Sequence, residues 1–243
     1  MPRTKPLADQ ARRRHPADGG YARGDETRTK IVAAALDVFS RYGFDGASTR
    51  MLAEKAGVSL PALQYYFDGK VGVYLACAQY IAGRLEALLG AAARRIADAL
   101  ARENPSRAAL LDMLLEFFDG FADLFLGEHE LERWVLFIIR EQAEPTEAFD
   151  VIFDRVMHPV ANTCATLIGR LLDRPDSDDE VRIRTLALIG QVVFLRTARE
   201  AALRVLEWPD FEGNRLPIVK ESLHAQITAG FGTLRNGARR GRS

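Results

Sequence analysis

An all-α fold is predicted for this chain by three features of its 243 residues. Apolar residues recur three and four positions apart through one segment after another, the spacing that draws a stripe down one side of a helix. No stretch alternates apolar and polar residues as a half-buried strand would, and no internal repeat is visible. Glycines and prolines fall between the periodic segments and punctuate them. With 48% apolar residues the chain has enough material for a substantial core.

Residues 1–24 are rich in Arg, Pro and Gly and lack periodicity, which predicts a disordered basic arm. Its Arg12, Arg13, Arg14 and Arg23 belong either to a solvated tail or to an arm that reaches a minor groove or phosphates. Residues 26–42 form the first helix, with Ile31, Ala35, Val38 and Tyr42 on one stripe and Ala34 and Phe39 beside it. Gly43 ends that helix and Gly46 opens the next turn.

Residues 48–70, STRMLAEKAGVSLPALQYYFDGK, are what the rest is organised around. They read as two short helices joined by a tight turn, an arrangement that lays its second helix in a DNA major groove. Ser48 caps the first helix, whose buried side is Met51, Leu52, Ala53 and Ala56. Gly57 supplies the turn's backbone freedom, and Val58 plugs the turn into the core. Ser59 caps the second helix, and Pro61 in its first turn gives up only an amide without a helical partner. Leu63 and Phe67, four apart, anchor it inward. Leu60, Pro61, Gln64, Tyr65 and Tyr66 then face outward, a set that suits contact with base edges and sugar-phosphate better than plain solvation. Gln64 is the candidate for direct readout, because its amide can bond adenine N6 and N7 together. Of the tyrosines, Tyr66 is the one expected to pack partly inward.

From Lys70 a helical pattern runs to about Arg102, where Asn104-Pro105 closes it. Thirty-odd residues span roughly 45 Å, long enough to link a DNA-facing unit to the body mechanically. Residues 106–126 are apolar almost all round, as suits a helix buried in a bundle. A helix follows over 131–142, and Pro145 starts another that Pro159 kinks or restarts before it ends at 172. Two long segments close the chain, 179–207 and 216–236. The first carries a line of small residues, Ala187, Gly190, Ala198 and Ala201; the second a stripe of Val219, Leu223, Ile227, Gly230 and Phe231. Small residues let helices approach closely, so these faces suit either packing within the chain or pairing with a second copy.

The 33 basic and 33 acidic residues cancel, but unevenly. Residues 1–75 hold 12 Lys/Arg against 8 Asp/Glu, a net +4, which leaves the remainder at −4. A basic end beside an acidic body fits a DNA-facing module joined to something that does not touch DNA. Cys77 and Cys164 have neither metal nor redox spacing and read as buried free thiols in a reducing compartment. No signal peptide is recognisable, and the longest apolar stretch, Thr185 to Leu195, is too short to span a bilayer. A cytoplasmic protein that does not enter membranes is expected. Neither a Gly-rich phosphate loop, a metal-ligand helix motif nor a nucleophile elbow is present, and His15, His129, His158 and His224 are scattered. No catalytic residue, metal or cofactor is predicted.

The middle of the body is dense in aromatics. Phe117, Phe121, Trp134, Phe137, Phe149, Phe153 and Phe194, with the polar Arg140, His158 and Gln191, are the candidate lining of a ligand pocket, mainly apolar with few polar fixtures. Plain core packing is the competing reading of each aromatic. Arg140-Glu141 and Arg196-Glu200 are either structural ion pairs or ligand contacts.

Residues 27–75, and above all AGVS-x-x-x-L-x-x-YF-x-x-K from Ala56 to Lys70, resemble the DNA-binding domain of the TetR/AcrR family of bacterial regulators. The pattern W-x-x-F-x-x-RE-x-x-x-PT-x-AF, from Trp134 to Phe149, is similar to the subgroup with a CerR-type C-terminal domain. The resemblance implies a three-helix DNA-binding domain over 25–75 and a larger helical ligand-sensing and dimerisation domain over 76–238. It places the hydroxyls of Thr49 and Ser59 at phosphates and aligns Lys70 with a phosphate-binding lysine. Tyr65 and Tyr66 align with backbone-gripping positions, and Leu60 and Pro61 stand where other members read bases. Arg50 is either a phosphate contact or a solvated arginine. The expected partners are a double-stranded palindromic operator, a second copy of the chain paired through the last two helices, and an unidentified small-molecule effector. The expected function is a repressor released by that effector; activation, or regulation without a ligand, is the alternative.

Overall fold

The computed structural model describes residues 19–102, 104–127 and 131–232, and every regular element among them is helical. Arg12, Arg13 and Arg14 lie outside the described residues, as do the Arg23 side chain and positions 233–238 of the expected second domain.

Helix α1 (Gly19–Gly46) opens earlier than periodicity suggested, so residues 19–24 of the expected arm are helical. Its regular course breaks at Gly43, whose φ of 72° is open to glycine at no steric penalty. The buried stripe is Ile31, Val32, Ala35, Leu36, Val38 and Phe39; Tyr42, expected on it, is half exposed because the break lies one residue ahead. Helices α2 (Thr49–Ala56) and α3 (Leu60–Phe67) pack with α1 and the start of α4 (Lys70–Arg102) as one small unit. The 33 residues of α4 span about 50 Å and carry Tyr74, Cys77 and Ile81 from that unit into the body.

The body consists of α5 (Arg107–Gly127), α6 (Leu131–Ala143), α7 (Glu147–Ile152), α8 (His158–Leu172), α9 (Asp179–Thr197), α10 (Arg199–Leu206) and α11 (Arg215–Phe231). Helix α5 is the hub, packed on α4, α8, α9 and α11, with Leu114, Phe118 and Ala122 fully enclosed. The segment 179–207 is two helices, not one: the chain leaves helical geometry at Ala198 (φ −104°, ψ 33°). Of the two readings of the α11 stripe, packing within the chain is the one seen. Val219, Leu223, Ile227 and Phe231 are buried in the single chain, and α11 packs on α5. Ala187 and Gly190 of the small-residue line do face outward on α9, together with Ile183, Leu186 and Phe194, each of these three more than half exposed, while Ala198 at the break is half-buried.

Between α7 and α8 the chain makes a π-helical turn, Phe153–Met157. Pro159 explains its place. Proline lacks the N–H that would bond the carbonyl of residue 155, and its ring clashes with that carbonyl; a widened turn relieves both.

Candidate DNA-reading surface and ligand cavity

Local chemistry builds the reading surface. The Ser48 hydroxyl accepts from the Met51 amide at 3.2 Å and opens α2. Gly57, left-handed at φ 65°, closes it: its amide bonds the Glu54 carbonyl while the Val58 amide bonds that of Ala53. The Ser59 hydroxyl accepts from the Ala62 amide at 3.3 Å, and Pro61 sits in the first turn of α3. Leu63 and Phe67 are buried, which commits the opposite side of α3 to solvent.

That side presents Leu60, Pro61, Gln64 and Tyr65, the last 85% exposed. Tyr66 is half-buried against the core, its ring edge-on to Tyr65 at 5.3 Å. Thr49 is half-buried at the start of α2, and Arg50 beside it is exposed. Gln64 is not a free amide: its Nε2 donates to Asp68 Oδ1 at 3.0 Å. The bond settles which end of the amide is the donor and leaves an N–H and the carbonyl oxygen outward, the pair adenine requires. The i,i+4 spacing of Gln64 and Asp68 was the available signal for this partner.

Lys70 departs most from expectation. Its ammonium donates to the carbonyls of Phe44 (3.0 Å) and Ala47 (3.2 Å) and lies 4.2 Å from the Phe44 ring centre. It ties the turn after α1 to the root of α4, and of its three hydrogens one is left for a phosphate. Arg28, which the sequence reading missed, reaches α3 from α1: it bonds the Tyr66 carbonyl at 3.4 Å and stacks over Phe67 at 4.8 Å.

Helix α6 joins this unit to the body. Ser40 on α1 donates to the Arg133 carbonyl at 2.9 Å, and the Arg133 guanidinium pairs with Asp37 at 2.6 Å. Arg140 Nη2 reaches the Ser40 and Arg41 carbonyls, 3.5 Å each, where the break at Gly43 leaves helix-end acceptors open. Glu141 is buried and takes three donors: the Tyr74 hydroxyl at 2.5 Å, and the Thr146 amide and hydroxyl at 3.1 and 2.8 Å. Burial first, and then the carboxylate of Glu141, drive the Tyr74 hydroxyl far above its ordinary acidity range, so it remains a donor. Arg140 and Glu141 thus find their partners separately, Arg140 at the end of α1 and Glu141 on α4 and at Thr146. Of the other charged pair considered, Glu200 bonds Arg204 at 2.9 Å on the surface, and Arg196 is buried.

The other side of α6 lines a cavity of about 640 Å³. Leu85 and Leu89 of α4 and Val135 and Ile138 of α6 form its inner wall. Phe121 and Phe125, with ring centres 4.4 Å apart, come from α5. A file of Phe149, Phe153 and His158 runs along α7 and the π turn, with centres 5.7 and 5.9 Å apart. Phe121, Phe149, Phe153 and His158 are thus brought together as lining residues.

Six other expected lining residues lie elsewhere. Phe117 is stacked behind Phe121 at 6.1 Å. Trp134 and Phe137 point from the far side of α6 to Tyr80 and Tyr74. Arg140 caps α1, as above, while Gln191 and Phe194 stay off the lining on α9, Phe194 being 58% exposed. An α6 with apolar residues on both sides does not reveal from composition which face meets a cavity. The lining residues that were missed, among them Ile138, Ala161, Asn162 and Val193, carry no distinguishing chemistry until packing assembles them.

Arg155 ties the π turn to α4. Its Nε and Nη2 bond the two carboxylate oxygens of Glu86 at 2.9 and 2.5 Å, and this fork holds the Glu86 carboxyl below its usual range. Both cysteines are buried, and burial pushes their thiols upward, which leaves them unreactive. Among the described residues no cluster suited to a metal occurs, and no helix is long and apolar enough to cross a membrane.

Comparison with known proteins agrees with this geometry. Residues 31–77 match the N-terminal domain of bacterial regulatory proteins of the TetR family, and residues 110–231 match the C-terminal domain of the HTH-type transcriptional dual regulator CecR. The CecR regulator of Shigella flexneri is 29% identical over 205 residues, covering 84% of this chain and 91% of that one. The HTH-type transcriptional activator FasR of Mycolicibacterium smegmatis is 30% identical over 158 residues, 62% of this chain and 71% of that one. In fold, the chain is similar to the transcriptional regulator FadR of Bacillus subtilis, solved with stearoyl-CoA, at a TM-score of 0.55 and 15% identity, covering 83% of this chain and 98% of that one. Helix-turn-helix unit, linking helix and helical body occur in one order along most of the chain, and it is a transcriptional regulator of the TetR family with a CecR-type C-terminal domain.

Proposed function

We propose that the chain binds a near-palindromic operator as a homodimer, represses from it, and is released when a small lipophilic effector enters the body. One observation carries this reading: α6 has the cavity on one side and the grip on α1 and α4 on the other. In this reading residues 25–75 read DNA and 76–238 sense and dimerise. Gln64 contacts bases; Thr49, Arg50, Ser59, Tyr65, Tyr66 and Lys70 hold the backbone; Leu60 and Pro61 contribute shape. One short helix reads too few bases to find a site in a genome, so two copies about one DNA turn apart are required. The outward face of α9, with Ile183, Leu186 and Phe194, supports pairing there. In this reading the protein works in the cytoplasm, where an operator would be reached.

Release is a population shift: the effector favours a stance of α6 and α4 that spreads the two reading helices. The stearoyl-CoA bound to FadR supports a lipophilic effector. A second reading, activation at some promoters, is favoured by the names of the relatives, a dual regulator and an activator. Transcript levels with and without the gene separate the two. The test is a mobility shift with DNA upstream of the chain's own gene: a two-protomer complex is expected, dissolving on effector addition. Equal effector affinity for free and DNA-bound protein excludes release by this route.

A further inference from the structure

The π turn does more than accommodate Pro159. In an unbroken α-helix starting at Phe149, the face that begins with Phe149, Ile152, Phe153 and Val156 continues through Val160, and positions 158 and 162 point elsewhere. A π turn holds one extra residue, and one residue is about 100° of rotation. Everything after Met157 is therefore turned, and His158, Ala161, Asn162 and Ala165 join the same cavity wall. Two of these are polar, one helical turn apart, and both are exposed at the cavity mouth, where Phe153 (41%) is also open. The mouth lies along the seam of α8 and α9, which pack as a hairpin.

The charge of the lining is equally particular. Besides His158, its titratable residues are one Asp176 and one Arg182, which cancel. A nucleotide-bearing head with several phosphates is held by clustered cations, and among the described lining residues Arg182 is the one arginine or lysine. Apart from Gln142, Thr185 and Thr197, the rest of the lining is aliphatic and aromatic.

We infer that the cavity takes a single-headed lipophile, its apolar tail inside and one compact hydrogen-bonding head, a carboxyl or carboxamide, held at the seam by His158 and Asn162. This deepens the proposed ligand-responsive function and rests on it. The Asn162 amide and the imidazole each offer a donor to a carbonyl or carboxylate oxygen, and either accepts from a carboxamide N–H. A coenzyme A thioester of the same tail would meet a single arginine among the described lining residues and is expected to bind more weakly.

The experiment is calorimetric titration of the full-length protein with dodecanoic acid, dodecanamide and dodecanoyl-coenzyme A. The acid or the amide is expected to bind at least about tenfold more tightly than the thioester. Asn162→Leu and His158→Phe, both at exposed positions, should each weaken that binding about fivefold or more while leaving the thermal midpoint in place. Deleting Asp154, which removes the extra residue, should abolish it as the two variants combined do. Equal or tighter binding of the thioester overturns the inference, as does absence of binding by both single-headed probes, or indifference of binding to both substitutions. Mobility shifts on the same samples report the DNA reading separately, so a failed titration beside intact operator binding sinks only this inference.

Discussion

Replacing Tyr74 by phenylalanine isolates the contact between α4 and α6. The ring is held on three sides, by Phe39 at 4.8 Å, Phe44 at 5.0 Å and Phe137 at 4.5 Å, and Tyr74→Phe keeps all three. What disappears is one hydroxyl, bonded at 2.5 Å to a buried carboxylate that retains its two Thr146 donors. A hydrogen bond to a charged group contributes about 1.5–3 kcal/mol. For a chain of this size, each kcal/mol moves the midpoint by about 2–4 °C, so a fall of roughly 3–12 °C is expected in thermal unfolding followed by circular dichroism. A cycle with Glu141→Gln should show the two losses to be non-additive, because they share one bond. A Tyr74→Phe midpoint within about 1 °C of the parent, with no coupling to Glu141→Gln, would refute the view that this junction is held by the buried bond.

Three further outcomes are expected. Gln64→Ala should relax sequence preference, at about 1–3 kcal/mol on the correct site, in competition binding with point-mutated operators; Asp68→Ala should do the same more weakly. Lys70→Ala should weaken all DNA sequences alike and flatten the salt dependence, and should also lower folding stability by about 1–2 kcal/mol, since two carbonyls lose a donor. An unchanged salt slope would remove Lys70 from the phosphate contacts and leave only its structural role. Stability should hold up to the ordinary thiol and phenol values of 9.0 and 10.0 and fall above them. The sign follows because Cys77, Cys164 and Tyr74 keep their protons when folded and release them when unfolded, so the unfolded chain binds fewer protons as pH rises. A midpoint flat through that interval would contradict it.

The reading unit was legible in the sequence because its determinants are local. Ser48, Gly57, Ser59 and Pro61 act within four residues of themselves, and Leu63 and Phe67 declare the buried side of α3 by spacing alone. Lys70 shows where local reading stops: its ammonium is spent on carbonyls more than twenty positions away, which no spacing rule reports. The aromatic density of the body was equally visible, but its sorting was not. Trp134 and Phe137 fell to the grip on α4, whereas Phe149 and Phe153 fell to the cavity. Pro159 announced an irregularity, while the rotation it causes, and with it the entry of Asn162 into the lining, depends on how the helix accommodates the proline. The stripe on α11 was legible as apolar, but not whether it met its own chain or a second copy, because periodicity gives a face and not its neighbour.

The central claim is that two copies of one reading helix, held together by the body, recognise a symmetric site. Nucleotide-resolution footprinting of genomic fragments captured by the full-length protein tests it most directly. The account predicts a two-fold symmetric protected sequence with half-sites about one DNA turn apart or slightly more, symmetric in its tolerance of Gln64→Ala. A protected site without internal symmetry, or protection by a single protomer, would contradict it.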